Sequence, residues 1–219
     1  MSQITLYNYF RSSPSYRVRI ALYYKGLQFE YKAVHLLNNG GEHHSAEYKK
    51  INPQEEVPSL IHDGNVIAQS VAIIEYLDEV FPQKHLLPKP AVLRAQVRQF
   101  CENINSFMHP VCNLKIQQYL EAKHGYGPSQ KEEWIQHWSQ QGFEALEKIL
   151  QKTSGKFCFG DEVTSADIFL IPQVFSAKIF KVDMSPYPLI NKIEKNCLEL
   201  EAFKMAHPMN QPDTPAEMK

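Results

Sequence analysis

The 219-residue chain is predicted to fold as a small α/β unit followed by an all-α unit. Three observations predict it. Two strand-like apolar runs flank one helical stretch near the start. Two further short apolar runs are joined by Asp63-Gly64, and everything beyond Leu87-Pro88-Lys89-Pro90 has helical spacing.

Ile4 to Phe10, apolar and aromatic, reads as the first strand. Ser15 to Lys25 carries Val18, Ile20, Ala21 and Leu22 and ends at Gly26, a suitable helix stop. Between them, Ser13 suits an N-cap and Pro14 the first turn, so Ser12 and Ser13 would face unpaired N–H groups at the positive end of a helix dipole. Such a corner can hold an anion such as a thiolate, although an isolated Ser-Ser-Pro most often only caps a helix.

Phe29 to Leu37 reads as a second strand, ended by Asn38-Asn39-Gly40-Gly41. A helical connection makes the two strands parallel with a right-handed crossover. Val57–Ile61 and Asn65–Ala68 form an antiparallel hairpin across Asp63-Gly64. Ser70 is then the expected N-cap of a helix carrying Val71, Ile73, Ile74 and Leu77 and stopping at Phe81-Pro82. This β-α-β, β-β-α order, over residues 1–83, describes an α/β domain of thioredoxin-like type.

The two spaced prolines place a linker at 84–90. The second domain, 91–219, contains helices expected over Ala91–Lys123, Ser129–Lys152, Thr164–Lys178 and Leu189–Ala206. Trp134 with Trp138, and Phe143 with Glu147, are one turn apart and read as core patterning. Thr164-Ser165-Ala166-Asp167 fits a capping box, Pro172 predicts a kink or break, and the tail from Pro208 is expected to lie irregularly on the surface.

The balance of 23 basic against 24 acidic residues, net charge -1, creates no field to recruit nucleic acid or an anionic membrane. A small molecule or another protein is the expected partner. The start Met-Ser-Gln-Ile-Thr has no targeting pattern and no apolar run would span a bilayer, so a soluble cytoplasmic protein is expected. Cys101, Cys112, Cys158 and Cys197 are scattered and read as free thiols; with no H-E-x-x-H around the nine histidines, no metal is expected.

Several motifs carry a resemblance: Ser12-Ser13-Pro14-Ser15-Tyr16-Arg17-Val18-Arg19-Ile20-Ala21-Leu22, Asn52-Pro53, Val57-Pro58 and Gln69-Ser70-Val71-Ala72-Ile73-Ile74-Glu75-Tyr76-Leu77. Gly160-Asp161-Glu162-Val163-Thr164, Phe180-Lys181-Val182-Asp183 and Gln211-Pro212-Asp213-Thr214-Pro215 continue it. In order and spacing the chain resembles the zeta class of glutathione transferases, the maleylacetoacetate isomerase family. The resemblance covers essentially the whole chain. It implies the glutathione transferase fold, glutathione as cofactor, a small-molecule electrophile as substrate and a homodimer.

It also implies roles. Ser12 would donate to the glutathione sulfur and favour the thiolate of a thiol whose free pKa is about 8.5. Ser13, Pro14, Ser15, Tyr16 and Arg17 complete that cofactor-binding corner. Val57 would pair with the cysteinyl part through a backbone left open by a cis Pro58. Gln69 and Ser70 would receive the γ-glutamyl end, while His43, His109 and Asn113 align with further contacts. The activity implied is glutathione-dependent cis-trans isomerisation in tyrosine catabolism, with glutathione transferase activity alongside.

Two departures from the family pattern weigh on the substrate. Pro14 stands where the family has cysteine, which removes a thiol from the corner but leaves Ser12. Ile179 stands where an arginine that holds substrate carboxylates is common, and an isoleucine cannot form that bidentate pair. Neighbouring Lys178 lies about 100° round an ideal helix from it. These changes favour, as the alternative, a transferase acting on a different electrophile such as an α-halo acid. A non-catalytic scaffold is disfavoured by Ser12, Val57-Pro58 and Gln69-Ser70 occurring together.

Overall fold

The computed structural model describes residues 3–218, in two compact units: residues up to His85 together with those from Glu199 onward, and Leu86–Leu198. In the first unit, β1 (Ile4–Asn8), α1 (Ser13–Tyr24), β2 (Glu30–Ala33), α2 (Ala46–Ile51), β3 (Ser59–His62), β4 (Asn65–Ala68) and α3 (Ser70–Val80) follow in order. The sheet order is β2-β1-β3-β4. β1 runs parallel to β2 and antiparallel to β3, which puts Leu6 opposite both Tyr31 and Leu60.

The sheet grows from the pattern read above. Leu6 and Leu60 on the strands, Val18, Ile20 and Leu22 on α1, and Ile73 and Leu77 on α3 are all fully buried. Asp63 and Gly64 both take positive φ (47° and 81°), as a two-residue hairpin turn between twisted strands requires. β2 is shorter than the expected 29–37 run, as suits an edge strand with one partner.

Three local expectations are corrected. The N-cap of α1 is Ser12, not Ser13; the N-cap of α3 is Gln69, and Ser70 is the first helical residue. α2, not anticipated, is capped by Ser45, whose side chain accepts from Tyr48 N at 3.2 Å; a six-residue helix with one buried anchor, Tyr48, leaves little periodicity to read. Beyond α3, the Lys25 ammonium donates to Asp78 (2.7 Å) and to the carbonyls of Phe81, Gln83 and Lys84, a cation set at a helix C-terminus.

The second unit contains α4 (Ala91–Glu102), a π-turn (Asn103–Met108), α5 (His109–Cys112), α6 (Leu114–His124), α7 (Pro128–Thr153), α8 (Ser165–Ile179) and α9 (Pro188–Leu198). The single helix expected over 91–123 is therefore interrupted. Pro110 has no N–H to continue the ladder, and Asn113 turns extended (ψ 153°) to cap α6 through its side chain. Thr164 and Asp167 do form the capping box: Asp167 accepts from Thr164 N and Cys158 N, both at 2.8 Å. α8 continues through Pro172, so no break occurs there. Glu147 is buried because it receives Leu189 N (2.8 Å) and Ile190 N (3.1 Å) at the start of α9. All four cysteines are free, three of them buried.

The last helix, α10 (Glu201–Ala206), packs on α1 within the first unit. Two expectations change. Residues 199–218 do not sort with the helical domain, and the tail, irregular as expected, does not lie only on the surface: Gln211 is buried and donates to the carbonyls of Met205 (2.7 Å) and His207 (2.8 Å). Thr214 Oγ1 donates to Pro208 O at 2.5 Å.

Candidate active site

The turn from β1 into α1 is held on every side. Ser12 N donates to Tyr9 O (3.1 Å), and Tyr16 N to Ser12 O (2.9 Å). Ser15, fully buried, accepts from Tyr9 N at 3.4 Å. Arg19 lies beneath, also fully buried. It donates from Nη1 to Asn8 Oδ1 (2.9 Å) and Tyr9 O (3.2 Å), from Nη2 to Phe10 O (2.8 Å) and from Nε to Ala206 O (3.1 Å). Burial pulls its pKa below the usual arginine value.

Ser12 is the residue this frame presents. Its Oγ accepts the N–H of Ser15 at 3.3 Å. Pro14, at the second helical position, has no N–H, so the cap bond passes to the third. A hydroxyl that accepts from the helix keeps its own proton to give. The half-buried Ser12 can thus donate to an anion at the positive end of a 12-residue helix. The rest of the corner turns inward: Ser13, Ser15, Tyr16 and Arg17 are buried, with the Tyr16 ring under the Arg19 guanidinium (5.4 Å) and edge-on to His207.

The second helix N-terminus belongs to α3. Ser70, buried, accepts Arg17 Nη1 at 3.2 Å, so a buried guanidinium stands behind the first turn of an 11-residue helix. A carboxylate is the ligand such a place favours. Gln69, before it, has φ 71° and ψ 121°, a left-handed backbone for a side-chain-bearing residue, and its Nε2 donates to Gln54 Oε1 at 2.7 Å. Local strain of this kind marks functional sites.

Val57-Pro58 is cis. Ahead of it, Glu56 O is held by Tyr48 Oη (2.7 Å) and Asn52 Nδ2 (2.8 Å), and burial raises the Tyr48 phenol to about 12. Tyr48, Asn52, Gln54 and Arg19 are contributors the sequence reading missed. Asn52-Pro53 was the visible signal of the first three: Asn52 Oδ1 accepts Gln54 N at 3.0 Å in a turn.

The His43 ring lies tilted against His44 (ring centroids 3.8 Å, 40° between planes), which pairs with Glu55 at 2.5 Å; Glu55 thus links the histidines to the Gln54–Val57 loop. A Cβ on Gly41 (φ 103°) would collide with the His43 ring, so glycine lets the ring lie there. Burial first, then His44, holds the His43 pKa below its usual value. His109 and Asn113 belong to the second unit, where their side chains meet at 3.5 Å and Asn113 caps α6. In that unit Ile179 is half-buried at the end of α8, and Lys178 is engaged with both oxygens of Glu194 (2.7 and 2.6 Å).

Residues 2–79 match the family described as the N-terminal domain of glutathione S-transferase, and residues 132–192 match its C-terminal domain. The chain is 47% identical over 214 residues to the maleylacetoacetate isomerase of Mus musculus, covering 98% of this chain and 96% of that protein. It is 46% identical over 212 residues to that of Dictyostelium discoideum, covering 97% of this chain and 96% of that protein. Among solved structures, a bacterial maleyl pyruvate isomerase, described as a zeta-class glutathione S-transferase, superposes with TM-score 0.94 at 42% identity, covering 96% of this chain and 100% of that one. Maleylacetoacetate isomerase from Anaeromyxobacter dehalogenans, with glutathione bound in its active site, superposes with TM-score 0.88 at 38% identity, covering 98% and 99%.

Proposed function

The chain belongs to the glutathione S-transferase family, and from that premise we propose that it is a glutathione-dependent cis-trans isomerase of maleylacetoacetate type, with transferase activity at the same site. The observation that carries the reading is Ser12: a hydroxyl held as an N-cap by Ser15 N–H, with its proton left to give.

The residues fit the cofactor. Two helix N-termini and a buried guanidinium suit a peptide with a thiol on its central residue and a carboxylate at its γ-glutamyl end. Bound glutathione supplies a sulfur nucleophile that adds to a conjugated double bond and leaves after rotation. Ser12 donates to that sulfur, which favours the thiolate because a bond to a charged acceptor is stronger than one to a neutral thiol. Ser70 and the first turn of α3 receive the γ-glutamyl carboxylate, with Arg17 beneath. Val57 offers its backbone to the cysteinyl part, Gln69 the side chain that Gln54 holds, and His43 a contact for the far end. His109 and Asn113 are proposed as contacts from the second unit.

The relatives' names support the substrate. One observation favours the second reading, a transferase for a less charged electrophile such as an α-halo acid: position 179 is hydrocarbon, and Lys178 is already paired with Glu194. The class resemblance supports a homodimer and a place in tyrosine catabolism. Four free thiols suit a reducing, cytoplasmic setting.

The test follows cis-to-trans conversion of maleylacetone with and without glutathione in the native chain and in Ser12→Ala. Turnover that needs glutathione and is largely lost in Ser12→Ala is expected; turnover unchanged by the substitution refutes the role of Ser12. Native protein that binds glutathione without isomerising the compound replaces this reading with the second.

A further inference from the structure

The Gln211-Pro212-Asp213-Thr214-Pro215 motif has no part in the reading above, yet the structure sets it against the Ser12 corner. Asp213 Oδ2 accepts Phe10 N at 3.0 Å, and its Oδ1 accepts the Tyr31 hydroxyl at 2.5 Å. The carbonyl of the same Phe10 is bound by Arg19 Nη2 at 2.8 Å. Phe10 is thus gripped at both ends of its main chain, two residues before Ser12. Tyr9 O, the remaining acceptor of the turn, takes Ser12 N and Arg19 Nη1.

The grip is built from the tail. Arg19 also holds Ala206 O at the end of α10. The turn carrying Asp213 is closed by buried side chains, Gln211 onto Met205 O and His207 O and Thr214 onto Pro208 O. Met209 packs against the cluster containing Tyr9 and Phe10. Asp213 is also the carboxylate among the groups that support the buried Arg19 charge.

We propose that Asp213 is a positioning residue for glutathione activation: acting through Phe10 N–H and Tyr31 O–H, it fixes the peptide ahead of Ser12 and so the aim of the Ser12 hydroxyl at the sulfur. The proposal rests on the reading of Ser12 as the thiolate's donor. It makes the C-terminal segment part of the active-site framework.

Electrostatics and geometry give opposite signs here, which makes the claim testable. Removing a negative charge near the corner would by itself lower the pKa of a bound thiol; loosening the Ser12 hydroxyl would raise it. The experiment titrates the ultraviolet thiolate absorbance of the protein–glutathione complex in the native chain, Asp213→Asn, Tyr31→Phe, Asn210→Ala and Ser12→Ala, with kcat and KM for glutathione across the same pH range.

Asp213→Asn is expected to raise the bound-thiol pKa by about one unit, lowering kcat near neutrality about three- to eightfold as the thiolate fraction falls. KM for glutathione stays within about twofold, and kcat recovers at high pH. Tyr31→Phe, which keeps the carboxylate, is expected to shift it the same way by less, and supplies the test if Asp213→Asn does not fold. Asn210→Ala, which removes only a bond to Lys204 O in the same tail, is expected to overlay the native profile.

A purely structural role would lower melting temperature without moving the pH profile. An Asp213→Asn or Tyr31→Phe titration that overlays the native one, or moves downward, overturns the proposal. If Ser12→Ala also leaves the titration unchanged, it is the Ser12 reading that fails; if Ser12→Ala shifts and the other two do not, only the role of Asp213 fails.

Discussion

Arg19→Met should be among the most damaging single substitutions in the first unit. The guanidinium is fully buried and serves four acceptors. Methionine fills much of the volume but donates nothing. Tyr9 O keeps the Ser12 N–H, while Phe10 O, Ala206 O and Asn8 Oδ1 lose their Arg19 donors. At about 1–3 kcal/mol for each buried acceptor left unsatisfied, and with relief from no longer burying a cation, the net loss is about 4 kcal/mol. In a chain of this size that lowers Tm by about 8–16 °C, a large share of a total stability of about 5–15 kcal/mol. Arg19→Lys should keep most of the loss, because one ammonium cannot reproduce a fork spread over four acceptors. Thermal and urea unfolding of the two variants beside the native chain is the assay. A shift under about 3 °C in Arg19→Met would refute the claim that this guanidinium holds the corner together.

The remaining predictions concern substrate, pH and packing. Pro14→Cys with Ile179→Arg should raise kcat/KM for maleylacetone relative to an α-halo acid; an unchanged ratio in steady-state assays removes both positions from substrate choice. His43, whose folded pKa is lowered, resists protonation, so as pH falls through its usual value toward the lowered one the folded state loses stability. A bound carboxylate beside it would reverse that preference, so KM for glutathione should fall on acidification in the native chain and not in His43→Gln; parallel KM–pH curves would exclude the contact. Gly142→Ala drives a Cβ into the buried Met108 side chain and should cost about 1–2 kcal/mol, most of it recovered in a Met108→Ala background by denaturant titration. Purely additive effects would show that the two positions do not meet.

What could be read from the sequence was what local chemistry decides alone. Asp63-Gly64 specifies its turn, and Thr164 with Asp167 specifies its cap, because both depend only on neighbouring residues. The corner at Ser12 was visible as a helix start for the same reason. The choice of Ser12 over Ser13 as cap was not, since it depends on which hydroxyl the end of β1 leaves facing Ser15 N–H. Asn113 stood inside a run of helical spacing, and only its extended backbone, three residues after Pro110 and capping α6, shows that the helix stops there. Arg19 and Asp213 were invisible as partners of the corner because their contacts to Ala206 and to Phe10 and Tyr31 span most of the chain, and an arginine on a helix ordinarily reads as solvated.

The proposed conversion of bound glutathione into its thiolate by Ser12 has a direct readout. The most direct measurement is the pKa of the glutathione thiol in complex with the native chain and with Ser12→Ala, read from ultraviolet absorbance at saturating protein. A hydrogen bond to a charged acceptor is worth about 1.5–3 kcal/mol, which corresponds to a pKa about 1–2 units below the free value near 8.5. The native complex should titrate there and the Ser12→Ala complex close to free glutathione. An equally depressed pKa in both complexes would rule out Ser12 as the group that stabilises the thiolate.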